Sequence, residues 1–236
     1  MKTLQQDELF AVPVPRATAS YSPVPHKELV TQIYSTLKSH GLNVTRENYR
    51  ANSKGTQVVG TFDLQQVGDT DDIGYRLTFR NSYDKSMSVG FFAGAVVKVC
   101  SNGLMVPMKG AQVFVRKHTG AVLQEVKQRI TSSISSLAPV MQRTLEHSQA
   151  MKHITVDTTA AAELCGRLFI EEELINSTQL NIIKREIENP SYSAFTDINL
   201  WSFYNHVTHA LKESHPTTYV NQHLEFHKFV EAEYNL

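Results

Sequence analysis

The stretch Ile73-Gly74-Tyr75-Arg76-Leu77-Thr78-Phe79-Arg80-Asn81-Ser82 decides the fold. Ile73, Tyr75, Leu77 and Phe79 alternate with Arg76, Thr78 and Arg80, a period of two that predicts a strand with one apolar and one polar face. Upstream, residues 56–66 place Val58, Phe62 and Leu64 on one face, and residues 42–49 alternate in part. Val67-Gly68-Asp69-Thr70-Asp71-Asp72 is turn chemistry between two strands. Downstream, residues 87–100 are rich in Val, Phe, Gly and Ala. The small residues Gly90, Ala93, Gly94 and Ala95 predict that a helix or another backbone comes close to that strand. Residues 111–116 add one short strand. The chain therefore reads as α+β, with a curved antiparallel β-sheet of four or five strands.

Helical periodicity flanks this sheet. Leu29, Val30, Ile33, Tyr34 and Leu37 share one face of a helix over 26–40, and Gly41 supplies its stop. After Gly120 a narrow stripe of Val122, Val126, Ile130, Ile134 and Leu137 predicts a long helix, with Pro139 kinking or restarting the chain. Asp157, Ser177 and Asp197 are expected N-caps of further helices. A last helix spans about 217–233. The layers are thus one helix, the sheet, then a C-terminal helical region. The expected division is a Pro-containing arm at 1–25, a helix-plus-sheet core with the long helix at 26–150, and the helical region at 151–236. Leu9, Phe10 and Val12 of the arm are candidates for docking on the rest.

The 236 residues are 41% hydrophobic and 19% charged, enough apolar material for a core without staples and too little charge for a disordered chain. Cys100 and Cys165 show no close pairing motif, which fits reduced thiols acting as small hydrophobes. No apolar leader and no run of roughly 18 apolar residues is present, so a cytoplasmic protein without a membrane partner is expected. Signatures of dinucleotide, nucleoside triphosphate, acyl-transfer or zinc-ribbon sites are lacking, and no cofactor is expected. His206 with His209 and His223 with His227 have spacings that place two imidazoles on one helix face, but no His-Glu-x-x-His pattern accompanies them, and no metal is assigned.

Net charge is zero, yet the charges are segregated. Residues 76–129 hold nine Lys and Arg against two Asp and Glu, while residues 150–236 hold six against twelve. A basic sheet face is what a phosphate backbone requires, because each neutralised phosphate releases counterions. Arg76, Arg80, Lys85, Lys98, Arg116, Lys117 and His118 are the candidate phosphate contacts. Tyr83, with Phe92 or Phe114, is the candidate stacking surface. The same segregation also suits a basic sheet packed against acidic helices of its own chain or of a second copy, or an acidic protein partner.

Three motifs go further. Arg80-Asn81-Ser82-Tyr83-Asp84-Lys85-Ser86 leads through the Gly/Ala-rich strand into Val99-Cys100-Ser101-Asn102-Gly103-Leu104, followed by Arg116-Lys117-His118-Thr119-Gly120. Late in the chain comes Leu200-Trp201-Ser202-Phe203-Tyr204-Asn205-His206-Val207-Thr208. Together these resemble the phage- and plasmid-related domain of unknown function number 932, over roughly residues 30–212. The motif residues are Arg80, Ser82, Asp84, Cys100, Ser101, Asn102, Gly103, Leu104, Arg116, His118, Thr119, Gly120, Trp201, Tyr204 and Asn205. The resemblance implies a mobile-element setting and a bacterial host cytoplasm, and it implies no reaction.

The combined expectation is a phage- or plasmid-encoded nucleic-acid-binding protein, with single-stranded DNA favoured and annealing-like action, functioning without catalysis and as a homo-oligomer. The alternative is a non-enzymatic component that binds a host or phage protein. An enzyme built on Cys100, Asp84 and His118 is the least favoured reading, since Cys100 closes an apolar strand and Ser101-Asn102-Gly103 reads as a turn.

Overall fold

The computed structural model describes residues 2–65, 72–105, 114–116, 118 and 122–236. The chain opens with β1 (Lys2–Leu4), a short α1 (Gln6–Phe10) and α2 (His26–Ser39). Five strands follow: β2 (Asn43–Ala51), β3 (Gln57–Gln65), β4 (Ile73–Ser82), β5 (Val89–Val97) and β6 (Asn102–Leu104). After β7 (Phe114–Arg116) come α3 (Val122–Ser135), α4 (Leu137–Lys152), α5 (Thr158–Gly166), α6 (Ser177–Glu188), α7 (Leu200–Ala210) and α8 (Pro216–Tyr234).

The strands form one curled antiparallel sheet in which β1 to β6 lie side by side in chain order. β6 pairs with Ala95–Val97 and β7 with Val89–Phe91, so two short strands share one edge of β5. Six strands stand in line, against the four or five that alternation predicts. The two missed ones are the three-residue strands β1 and β6. Asn102-Gly103 is strand and not turn. The reversal lies at 98–101, where Ser101 takes a positive φ of 58° and its N–H donates to the Val97 carbonyl at 2.8 Å.

One face of the sheet builds the core. Tyr49, Phe62, Phe79 and Phe91 are fully buried there, with Phe62 packed against Phe79 at 5.8 Å between ring centroids. Leu29, Val30, Ile33 and Leu37 of α2 join the same cluster, as do Leu9 and Val24 from the first 25 residues and Val230 of α8. Gly60 is required by this packing, because a Cβ there would lie 2.0 Å from the Phe79 ring. Close approach at Gly94 is also found: its Cβ would stand 2.7 Å from the Leu104 carbonyl of β6. Asp157 caps α5 as expected, whereas Asn176 and Asn199 cap α6 and α7 in place of Ser177 and Asp197.

The opposite, polar face is open to solvent only in part. α8 lies against it, and Tyr219 and Val220 form a second apolar cluster with Val59, Phe92 and Met105. The physical reason is that α8 carries a broad buried face. Tyr219, Val220 and His223 are buried, and so are Phe226, His227, Phe229 and Val230 further along, while Thr218, Asn221, Glu225 and Lys228 on the other side are exposed.

Candidate anion-binding pocket

The cover of α8 changes what the predicted contacts can do. Arg76 is buried, and its guanidinium grips Asp63 on β3 through Nε to Oδ1 at 2.5 Å and Nη2 to Oδ2 at 3.0 Å. The register aligns Asp63 with Arg76 directly. Its Nη1 donates to the Ser101 carbonyl at 3.2 Å. Arg80 is partly covered, donates to the Asn221 side chain of α8 at 3.3 Å, and lies over the Phe92 ring. Burial pushes the Arg80 pKa down. Phe92 is buried in the second cluster, so no base can stack on it. Tyr83 is buried too: its ring stacks on His26 at 4.0 Å and its hydroxyl accepts from the His26 N–H at 2.7 Å. Lys85 sits over the Tyr21 ring, and Lys98 is exposed beside the 98–101 reversal. His118 is buried against Tyr21. Lys117, Thr119, Gly120 and the side chains of Arg116 and Phe114 lie outside the described residues. Among the described residues the expected open basic face is corrected: Arg76 is neutralised by its own chain and Arg80 is roofed by α8.

The Cys100, Asp84 and His118 grouping is likewise not assembled. Cys100 follows β5 at the Ile73 end of β4, while Asp84 follows the Ser82 end, and ten strand residues separate those ends by roughly 30 Å. His118 is on the Asp84 side, where its carbonyl accepts from the Ser22 N–H at 2.8 Å. The Asp84 carboxylate accepts from Gln57 at 2.6 Å and from the Ser86 N–H at 3.0 Å. The Cys100 thiol is buried, which pushes its pKa up and suits a thiol and not a nucleophile.

What the polar face does offer is a cavity of about 380 Å³ where α8 leaves the sheet uncovered. Alternate residues of β2 supply Arg46, Asn48 and Arg50, β3 and β4 supply Thr61, Asp63 and Arg76, and the 98–101 reversal supplies Cys100 and Ser101. The turn between α7 and α8 closes it with Lys212 and Glu213, and Tyr192 and Tyr219 add two rings. Four cations thus face two carboxylates, and Asp63 is already engaged by Arg76. Among the described residues no carboxylate lies within ion-pair distance of Arg46, Arg50 or Lys212.

Each of these three cations is positioned. Arg46 Nη1 donates to the Ser101 hydroxyl, and Lys212 Nζ donates to the Cys100 carbonyl at 2.6 Å. The Arg50 guanidinium stands over the Tyr219 ring, 5.6 Å from its centroid. Burial lowers the pKa of Arg50, opposed by Tyr219 and Glu213. The Lys212 pKa is lowered by burial first, then by the positive charges of Arg76, Arg46 and Arg50. Cations crowded with like charge in this way are stabilised by an incoming anion. Gly103 belongs to the wall: a Cβ on it would press both Arg76 Nη1 and the Tyr219 hydroxyl at 3.2 Å.

Two of the quoted motifs, those at 99–104 and 200–208, meet beside this wall. Asn102 donates to the Asn205 carbonyl at 3.0 Å and to its side-chain oxygen at 3.3 Å, and Asn205 donates to the Trp201 carbonyl at 2.9 Å. The early motif ties the other end of the sheet: Asn81 donates to the Val24 carbonyl, and Ser82 exchanges two bonds with the Met87 backbone. Sequence reasoning missed Arg46, Arg50, Lys212, Tyr192 and Tyr219. The available signal was the Arg46-x-Asn48-x-Arg50 alternation on β2.

A curled antiparallel sheet, helices on both of its faces and a cationic pocket on the polar one define an α+β protein in which the predicted Cys100, Asp84 and His118 grouping is not assembled. The chain matches the family model described as Domain of unknown function (DUF932) over residues 16–228, and it belongs to that family. No curated protein and no solved structure matches it. Among the described residues no helix is long and apolar enough to cross a membrane.

Proposed function

We propose that this protein binds nucleic acid without chemistry, with single-stranded DNA as the favoured ligand, and that it holds phosphate in the pocket of Arg46, Arg50 and Lys212. The observation that carries this reading is the surplus of positioned cations there, with no carboxylate among the described residues paired to Arg46, Arg50 or Lys212. The cavity size lies at the lower end of small-ligand sites, suited to one nucleotide and its phosphate and too small for a duplex. Tyr192 borders the space half-buried, a ring on which one base can stack without regard to sequence, while the buried Tyr219 carries Arg50 over its face. A mobile-element role, implied by the family resemblance, fits such a binder.

Fluorescence anisotropy with a labelled single-stranded oligonucleotide at two salt concentrations tests it. Each phosphate contact adds about 0.7 to the slope of log affinity against log salt for single strands, so losing one cation lowers the slope by about that amount. Arg50→Gln and Lys212→Gln each weaken binding by about tenfold or more, whatever the sequence of the strand. Absence of binding at tens of micromolar protein in low salt refutes the proposal. So does binding that both variants retain in full.

A further inference from the structure

A second cluster of ligating side chains lies away from the pocket, between α4 and α8. His147 of α4 and His227 and Glu231 of α8 place one ligating atom each within 4.8 Å of one another. His147 Nδ1 is 3.0 Å from His227 Nε2, His227 Nε2 is 3.6 Å from Glu231 Oε1, and His147 Nδ1 is 3.8 Å from the same oxygen. Two ligands bound to zinc at 2.0–2.1 Å in tetrahedral geometry stand about 3.3 Å apart, so the three observed separations need shifts of about half an ångström or less. His227 and Glu231 are one helical turn apart on α8, the spacing that presents both to one point.

Two further features suit a ligand set. His227 is fully buried, and its Nδ1 lies 2.9 Å from the Tyr204 hydroxyl. That contact fixes the ring from behind and leaves Nε2 facing the cluster, as the outer partners of metal-bound histidines do. Arg143 donates to Glu231 Oε1 at 2.7 Å, and its side chain is 41% exposed. It can move to the second carboxylate oxygen as an ion takes the first.

We infer that His147, His227 and Glu231 form a site for a divalent ion of the zinc class, which staples α8 to α4. Imidazole, imidazole and carboxylate favour zinc over calcium or magnesium, and three protein ligands leave a fourth position for water. The site is separate from the phosphate pocket, since His227 lies roughly 12 Å along α8 from Tyr219 at 1.5 Å per residue. It stands whether or not the pocket binds nucleic acid.

The test uses the whole chain, stripped with a chelator and dialysed against micromolar zinc chloride, with bound metal measured by mass spectrometry. The expected result is one equivalent of zinc retained and a thermal midpoint that rises with zinc concentration. His147→Gln and Glu231→Gln each weaken zinc binding at least tenfold. His153→Gln, at an exposed histidine, leaves it unchanged. Circular dichroism confirms that the variants are folded. Less than a stoichiometric equivalent on the wild type overturns the inference, as do folded His147 and Glu231 variants that bind as the wild type does.

Discussion

Replacing Asp63 by Ala isolates the charge of Arg76 in a buried position. The Arg76 and Asp63 side chains are 7% and 13% exposed and meet through two hydrogen bonds. Their charge centres, about 4 Å apart, attract by about 4 kcal/mol at an effective dielectric of about 20. Removing one partner of a buried pair costs about 3–5 kcal/mol, because the remaining charge keeps its desolvation without compensation. The pocket admits water beside Arg76, and its bond to the Ser101 carbonyl survives, so the lower end of that range, about 3 kcal/mol, is expected. For a chain of this size that is a fall in the thermal midpoint of about 6–12 °C. Urea unfolding followed by circular dichroism measures it. The paired change Asp63→Leu with Arg76→Met removes both charges at once and recovers most of the loss, since a buried pair is commonly replaced by apolar groups at little cost. A loss below about 1 kcal/mol for Asp63→Ala would refute the reasoning, for it would mean that Arg76 is solvated and free to meet a ligand.

Other consequences are as direct. His26 is held neutral, with burial lowering its pKa to about 4, Nε2 facing the Gly55 carbonyl at 3.1 Å and Nδ1 facing the Asn81 amide at 3.0 Å. The unfolded chain takes up this proton below about pH 6.5 and the folded chain only near 4, so stability is full above that window and is lost as pH falls through it. A proton NMR titration in which His26 titrates at its ordinary value would contradict this. Gly60→Ala drives a methyl into the Phe79 ring and costs about 1–3 kcal/mol in the urea midpoint; an unchanged midpoint would show that the ring can yield. Asn102→Ala removes the amide that ties β6 to the Asn205 carbonyl and side-chain oxygen, and costs about 1–3 kcal/mol by the same assay; a neutral result would place water there.

How much of this was legible follows the range of the interactions. The alternation at 73–82 is local, and it correctly assigned Leu77 and Phe79 to the core side of β4. The stripe on α2 was equally plain. The cover over the other face was not, because an arginine on a strand reads as solvated until its partner is known. Asp63 comes into line with Arg76 only through the β3–β4 register. Asn102-Gly103 carries the chemistry of a turn, yet Ser101 makes the reversal and releases both residues into β6. The pocket was hidden for a related reason. Arg46, Arg50, Ser101, Lys212 and Tyr219 come from segments as much as 173 positions apart, and no local pattern joins them. The zinc-class ligands show how close the sequence came: His227 was noticed, but for its spacing to His223, which turns towards the sheet, while Glu231 one turn further on and His147 on α4 complete the set.

Cys100 and Cys165 are unpaired and buried, and burial raises the pKa of both thiols. The native chain thereby carries two silent chemical reporters, one where β5 turns back and one in α5. An alkylating dye reacts with each only when its surroundings open. Peptide mapping of the first modified thiol would reveal which part of the molecule loosens first, with no label engineered into it.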